Sequence, residues 1–262
     1  MDIAVVDYGV SNLCSVVRAL DYLGYDVMLT ANPADLRKAP RILLPGQGAF
    51  ATAMHNLQTS GLAEALQEEW KAGKPIMGIC VGMQIMGRCG LENGTWPGLG
   101  WIDAECRQLE TEESKSTGEP ESEEADRTAS ERTQLSKTPS KLAFKVPLKH
   151  SSNHSLKLPH VGWNELCFDP AEPLLAGLKQ RDHCVYFTHS YALVMDKVET
   201  SATPGIGNIL AASPDVIATS DYGSAFVAAI KKDNVFAAQF HPEKSQENGL
   251  RILDNFMNWN PC

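Results

Sequence analysis

Short runs of β-type apolar residues alternate along the chain with segments whose apolar positions recur every three or four residues. Ile3-Ala4-Val5-Val6 reads as a strand that ends at Asp7-Tyr8-Gly9. Behind the capping pair Ser11-Asn12, residues Leu13, Val16, Val17, Leu20 and Leu23 share one helical face, and Gly24 closes that helix. Val27-Met28-Leu29 gives a second strand. Arg41-Ile42-Leu43-Leu44 gives a third, which runs into Pro45-Gly46-Gln47-Gly48. Leu62, Ala65, Leu66, Glu69 and Trp70 predict a helix ended by Gly73. A further apolar run, Pro75 to Ile79, stops at Cys80, after which a helical pattern resumes. Strands that alternate with helices of this length imply right-handed crossovers. The later strands alternate more and turn more tightly, which suggests antiparallel additions, and Arg251 to Trp259 reads as a closing helix. The predicted fold is α/β: a mostly parallel central sheet with helices on both faces, plus antiparallel C-terminal strands. Sites in such sheets form at the carboxyl ends of the strands, where the turns at 45–48 and 78–82 fall.

One segment breaks the pattern. From Thr111 to Ser140 there is no aromatic residue, and the only aliphatic side chains are Ala125, Ala129 and Leu135. A segment so poor in apolar surface does not offset its ordering entropy. The chain is therefore expected to be one domain, 1–262, carrying a disordered insertion at about 108–152. A net charge of −9 argues against a nucleic-acid partner. The seven cysteines (14, 80, 89, 106, 167, 184 and 262) are widely spaced with no C-x-x-C pair. A disulfide framework and a zinc site are both disfavoured, and a reducing, cytoplasmic setting is expected. No apolar run reaches membrane-spanning length, and no signal or transit segment precedes the first strand. Neither a cofactor nor a metal is expected.

Three stretches carry candidate chemistry. In Gly78-Ile79-Cys80-Val81-Gly82 the cysteine sits where a tight strand-to-helix turn lifts a nucleophile clear of the sheet, with glycine on each side to avoid collision. The start of the following helix favours negative charge on the sulfur. Taken alone, the same pattern fits a buried structural cysteine equally well. In Gln239-Phe240-His241-Pro242-Glu243, residues two apart in extended backbone point the same way, so Glu243 is placed to orient His241 as a base. The third stretch is the Gly-rich turn Gly46, Gln47, Gly48. It offers backbone N–H groups to an anion, and the Val81 amide would supply the other half of an oxyanion hole.

Together these stretches, in the order Cys, His, Glu, resemble the class I glutamine amidotransferases. Several further segments are similar to one branch, the glutaminase subunits of imidazole glycerol phosphate synthase. They are Asp7-Tyr8-Gly9 with Asn12, Leu-Pro-Gly-x-Gly-Ala-Phe at 44–50, Gly-Ile-Cys-x-Gly-Met-Gln at 78–84, Pro-His-x-Gly-Trp-Asn at 159–164, Tyr-Phe-x-His-Ser-Tyr at 186–191 and Gln-Phe-His-Pro-Glu-Lys-Ser at 239–245. The resemblance covers the chain except roughly 104–155.

The resemblance implies that Cys80 attacks the side-chain amide of glutamine, that His241 shuttles protons, and that Glu243 orients His241. It implies substrate contacts at Gln84, His189, Ser190 and Tyr191. It also implies ammonia transfer to a (β/α)₈-barrel cyclase subunit in histidine biosynthesis, with Asn12, Trp163, Tyr186 and Lys244 at or near that interface. Two positions depart from the branch: Gln47 stands where a small aliphatic residue is usual, and Ser11 where glycine is common. The alternatives are a glutaminase subunit of another synthase (anthranilate or pyridoxal phosphate synthesis) and a non-catalytic regulatory binding subunit. The 159–164 segment counts against the first, and the intact Cys80, His241 and Glu243 count against the second.

Overall fold

In the computed structural model the described residues are 1–10, 12–110, 156–178, 183–195 and 213–261. Ser11 and the predicted insertion lie outside them, except for 108–110. Gln108 there ends a strand, and buried Leu109 donates its N–H to the Ser190 carbonyl at 2.8 Å.

Five strands run parallel at the centre: β1 (Ile3–Val6), β2 (Val27–Thr30), β3 (Ile42–Gly46), β4 (Ile76–Cys80) and β14 (Val235–Ala238), in the order β2-β1-β3-β4-β14. Every residue of β1, β3, β4 and β14 is buried, so each reads as a continuous apolar run rather than an alternation. Beyond β14 the sheet continues antiparallel through β13 (Ala225–Lys232), β12 (Val216–Asp221) and β9 (Cys167–Phe168). The expected C-terminal antiparallel additions are thus present.

Two smaller sheets were not foreseen. One pairs β8 (His160–Glu165) with β10 (Cys184–His189). The other orders β11 (Tyr191–Met195), β7 (Ala104–Gln108), β5 (Cys89–Gly90) and β6 (Trp96–Pro97).

The helices are α1 (Leu13–Tyr22), α2 (Pro33–Leu36), α3 (Phe50–Thr59), α4 (Leu62–Lys71), α5 (Val81–Gln84) and α6 (Gln246–Asn258). The chain leaves β1 toward β2 on one side and reaches β3 on the other, so right-handed crossovers put α1 on the face opposite α2, α3 and α4. The contacts agree: α1 packs on α6, and α4 packs on both α2 and α3. The reversal between β1 and β3 opens a crevice at the carboxyl ends of β1, β3 and β4. Among the described residues no helix is long and apolar enough to cross a membrane.

Candidate active site

Cys80 ends β4 with φ 53° and ψ −111°, a left-handed backbone that a non-glycine residue adopts only under local constraint. The constraint comes from its neighbours. A Cβ on Gly82 would lie 1.9 Å from the Leu44 carbonyl oxygen, and one on Gly78 would lie 2.7 Å from the Met86 Cε. Gly82 is therefore required for the elbow to pack on β3, and Gly78 for the elbow to close on itself, since a Cβ there would also lie 2.8 Å from the Gly82 carbonyl oxygen. The helix behind Cys80 is shorter than its sequence pattern suggests. α5 is a single turn of four residues, so it supplies unpaired N–H groups but little macrodipole. The thiol donates toward the Thr188 carbonyl at 3.9 Å and accepts from Gln239 Nε2 at 3.7 Å.

His241 Nδ1 and Glu243 Oε1 lie 2.8 Å apart, with both side chains 2% exposed. The pairing is made differently from the expected strand alternation. β14 already ends at Ala238, His241 is extended, and Pro242–Lys244 is a 3-10 turn that folds the carboxylate back onto the ring. The turn is tied down by a backbone cycle. His241 N–H donates to the Tyr186 carbonyl at 2.9 Å, Tyr186 N–H donates to Ser245 Oγ at 2.9 Å, and the Ser245 hydroxyl donates to the His241 carbonyl at 2.6 Å. Nε2 is buried and, among the described residues, meets no partner at full hydrogen-bond geometry. Burial opposes a charge on this ring. The Cys80 sulfur, through hydrogen bonding and charge, and then the Glu243 carboxylate outweigh that effect and raise the His241 pKa to about 9. Near neutral pH the ring is thus charged, the cationic partner of the Cys80 sulfur and the Glu243 carboxylate.

The Gly-rich turn is in a different state. Gly46 is the register partner of Cys80 across β3 and β4. However, the next amide, Gln47 N–H, donates to the Val10 carbonyl at 2.6 Å. A peptide offers one N–H, so this bond keeps the Gln47 amide away from the anion position. Gly48, at φ 103°, and the Gln47 side chain line the adjoining cavity.

That cavity, roughly 290 Å³, is bordered by Cys80, Val81, Gln84, Glu92, Thr188, His189, Ser190 and Tyr191 among others. All four expected substrate residues therefore meet at one opening. Gln84 Nε2 donates to the Tyr191 carbonyl at 2.8 Å and to Gln239 Oε1 at 3.2 Å. Two buried histidines brace the wall. Desolvation, with the neighbouring His160 adding to it, lowers the His189 pKa to about 3, and desolvation lowers His160 to about 4. Both rings are thus neutral, and one assignment satisfies their contacts. Asn164 Nδ2 donates to His160 Nε2 at 3.5 Å, His160 Nδ1 donates to His189 Nε2 at 3.4 Å, and His189 Nδ1 donates to the Tyr191 carbonyl at 3.0 Å.

The sequence profile of the family described as Glutamine amidotransferase class-I matches residues 4–259. The chain belongs to that family. Among curated relatives, the imidazole glycerol phosphate synthase subunit HisH of Caulobacter vibrioides is 35% identical, with 99% of each chain covered. The protein named subunit HisH 1 of Campylobacter jejuni is 36% identical, over 97% of this chain and 98% of its own length. Among solved structures, a glutamine amidotransferase aligns with a TM-score of 0.58 at 14% identity over 97% of both chains. PurLQS from Thermotoga maritima aligns with a TM-score of 0.59 at 15% identity, over 98% of this chain and 97% of its own. At those identities the structures support the amidotransferase fold alone.

On this amidotransferase, three of the predicted interface residues form one surface cluster. The Trp163 and Tyr186 rings meet edge-on at 6.0 Å, and Lys244 Nζ lies 5.8 Å from the Tyr186 ring centroid. Trp163 is 47% exposed, which rules out a core role for it. Asn12 heads α1, which packs against the 242–244 turn, and its Nδ2 donates to Ser15 Oγ at 3.1 Å. Two amidotransferase site residues escaped the sequence reading. Gln239, fully buried, links Gln84 to the sulfur. Glu92 lines the cavity while its Oε2 accepts the Phe50 N–H at 2.9 Å. The position of Gln239 two residues before His241 was the one available signal for it. Nothing in the sequence marked Glu92.

Proposed function

We propose that the chain is the glutaminase subunit of an imidazole glycerol phosphate synthase, working with a (β/α)₈-barrel cyclase subunit in a cytoplasmic heterodimer. Supporting this is Cys80 at the border of the cavity, with the buried His241–Glu243 pair coupled to its sulfur behind it, in a chain alignable end to end with HisH proteins. Cys14, Cys80, Cys89, Cys106 and Cys167 are free thiols, which agrees with a reducing compartment.

The glutamine side chain enters the cavity with its α-ammonium toward the Glu92 carboxylate. The Cys80 sulfur, whose proton His241 already holds, attacks the amide carbon, and the carbonyl oxygen becomes an oxyanion facing Val81 and the 46–48 turn. His241 returns its proton to the nitrogen as the C–N bond breaks, which releases ammonia and leaves a glutamyl thioester. His241 then takes a proton from water, the hydroxide adds to the thioester, and sulfur leaves as glutamate forms. The sum is glutamine plus water to glutamate plus ammonia. Glu243 holds the ring throughout. Ammonia in water near neutral pH is mostly protonated and no longer nucleophilic, so its direct transfer to the cyclase requires a water-excluding contact. The Trp163, Tyr186, Lys244 cluster and the head of α1 at Asn12 are the surface proposed for that contact.

The test is glutamate release with and without the barrel partner, run beside Cys80→Ala. The variant is expected to lose glutamine-dependent synthesis by at least about 10³-fold and to keep ammonia-dependent synthesis. Survival of glutamine use in the variant would exclude Cys80 as nucleophile. Failure of the wild-type pair to form glutamate would favour a non-catalytic binding subunit.

A further inference from the structure

The loop between β1 and α1 touches the oxyanion turn at two points. Val10 accepts the Gln47 N–H at 2.6 Å. Tyr8, two residues earlier, is 4% exposed, and its hydroxyl has no hydrogen-bond partner among the described residues. That hydroxyl lies against Gly46: a Cβ at Gly46 would sit 2.6 Å from it. A buried hydroxyl with nothing to bond is rare and costs stability, so its retention calls for a state in which it is bonded. Burial, and secondarily the nearby Cys80, push the Tyr8 phenol well above its ordinary range. The group therefore remains a donor across working pH.

The identity of the missing acceptor follows from peptide geometry. A trans peptide points its C=O and N–H in opposite directions. Rotating the 46–47 peptide to bring the Gln47 N–H into the cavity swings the Gly46 C=O toward the β1–α1 loop. There it would face the Val10 carbonyl, a second acceptor, with no bond to replace the one given up. A donor on the same loop removes that conflict.

We propose that Tyr8 is a positioning residue for the oxyanion turn. Its hydroxyl, unpaired in the resting chain, donates to the Gly46 carbonyl when the peptide has rotated and so holds the Gln47 N–H toward the substrate oxyanion. One loop thus supplies a partner for each orientation of one peptide, Val10 for the resting state and Tyr8 for the working state. This rests on the glutaminase function proposed above.

The test is Tyr8→Phe, which keeps the ring and removes the hydroxyl. In the isolated chain the midpoint of urea unfolding is expected to stay level or rise, because an unpaired buried group has been removed. With the barrel partner, kcat for glutamate release is expected to fall ~10- to 100-fold, while KM for glutamine moves less than about threefold and ammonia-dependent synthesis is unchanged. A wild-type kcat in the variant would overturn the proposal and leave the glutaminase function intact. A lowered urea midpoint would also overturn it, since the hydroxyl would then be bonded in the resting chain. Absence of glutamate release from the wild-type pair would instead overturn the glutaminase function, and this role of Tyr8 with it.

Discussion

Gly46 and Cys80 face each other across neighbouring parallel strands, yet the two strand ends are prepared to different degrees. At the β4 end the proposed nucleophile, Cys80, is in place. Glycines at 78 and 82 fix the elbow, and the His241–Glu243 pair is buried and bonded at 2.8 Å. At the β3 end the oxyanion turn has its amide bonded elsewhere, to Val10 at 2.6 Å, and a hydroxyl waits unpaired beside it. An enzyme arranged this way holds a competent thiol while withholding stabilisation of the oxyanion. Electrostatic stabilisation of that kind is usually the largest single contribution to acyl-transfer catalysis. In the proposed glutaminase, withholding it would prevent loss of glutamine, and of ammonia, when no acceptor is ready.

The largest expected effect comes from dismantling the prepared end. Glu243→Gln leaves the ring without its anionic partner and should lower kcat for glutamate release by ~10²- to 10⁴-fold. It should also pull the His241 pKa back toward its ordinary value. The bound state of the 46–48 turn should be unaffected, so KM is expected to change little. A kcat within threefold of wild type would show that the orienting role lies elsewhere.

A smaller effect separates the charged histidine from the neutral ones. The His241 pKa is raised, so its contribution to stability is fully present below the unfolded value near 6.5 and is lost as pH rises through about 9. For His160 and His189 the sign reverses. Burial lowers them to about 4 and about 3, so their contribution is present above about 6.5 and is lost as pH falls toward those values. Urea midpoints measured from pH 5 to 10 should decline toward both ends, and the alkaline decline should be shallower in Glu243→Gln. An alkaline limb identical in the two proteins would contradict the charge assignment.

The smallest effect on the chain itself is expected at the exposed cluster. Trp163→Ala should change stability by no more than about 1 kcal/mol, because the ring is 47% exposed. Affinity for the barrel partner should nonetheless fall ~10-fold or more, as expected for a buried aromatic anchor. Unchanged affinity in titration calorimetry would place the partner on another face.

The prepared end was the more legible part of the site in the sequence. β1, β3 and β4 announce themselves because central parallel strands are apolar on both faces, and the elbow is spelled out by Gly78, Cys80 and Gly82. The identities of His241 and Glu243 were equally plain. Their geometry was not, because a 3-10 turn brings them together rather than strand alternation. α3 was missed although Phe50, Ala53, Met54 and Leu57 recur at helical spacing, because its N-cap, Ala49, provides no side-chain capping bond to mark its start. The four-stranded small sheet was missed because β5 and β6 have only two residues each, too few to show a period. Glu92 and Gln239 gain their roles from neighbours far away in sequence. The state of the oxyanion turn was the least legible feature of all. It depends on which carbonyl one amide meets, and Val10 lies 37 positions from Gln47 in the chain.

In the proposed function Cys80 is ready as nucleophile and the 46–48 turn is not ready as oxyanion hole. This difference is tested most directly by the ratio of glutamate release by the chain with its barrel partner to release by the chain alone. An oxyanion donor that becomes available only in the pair predicts a ratio of at least about 10². A ratio near one would contradict the account, because the resting turn would then already be the working one.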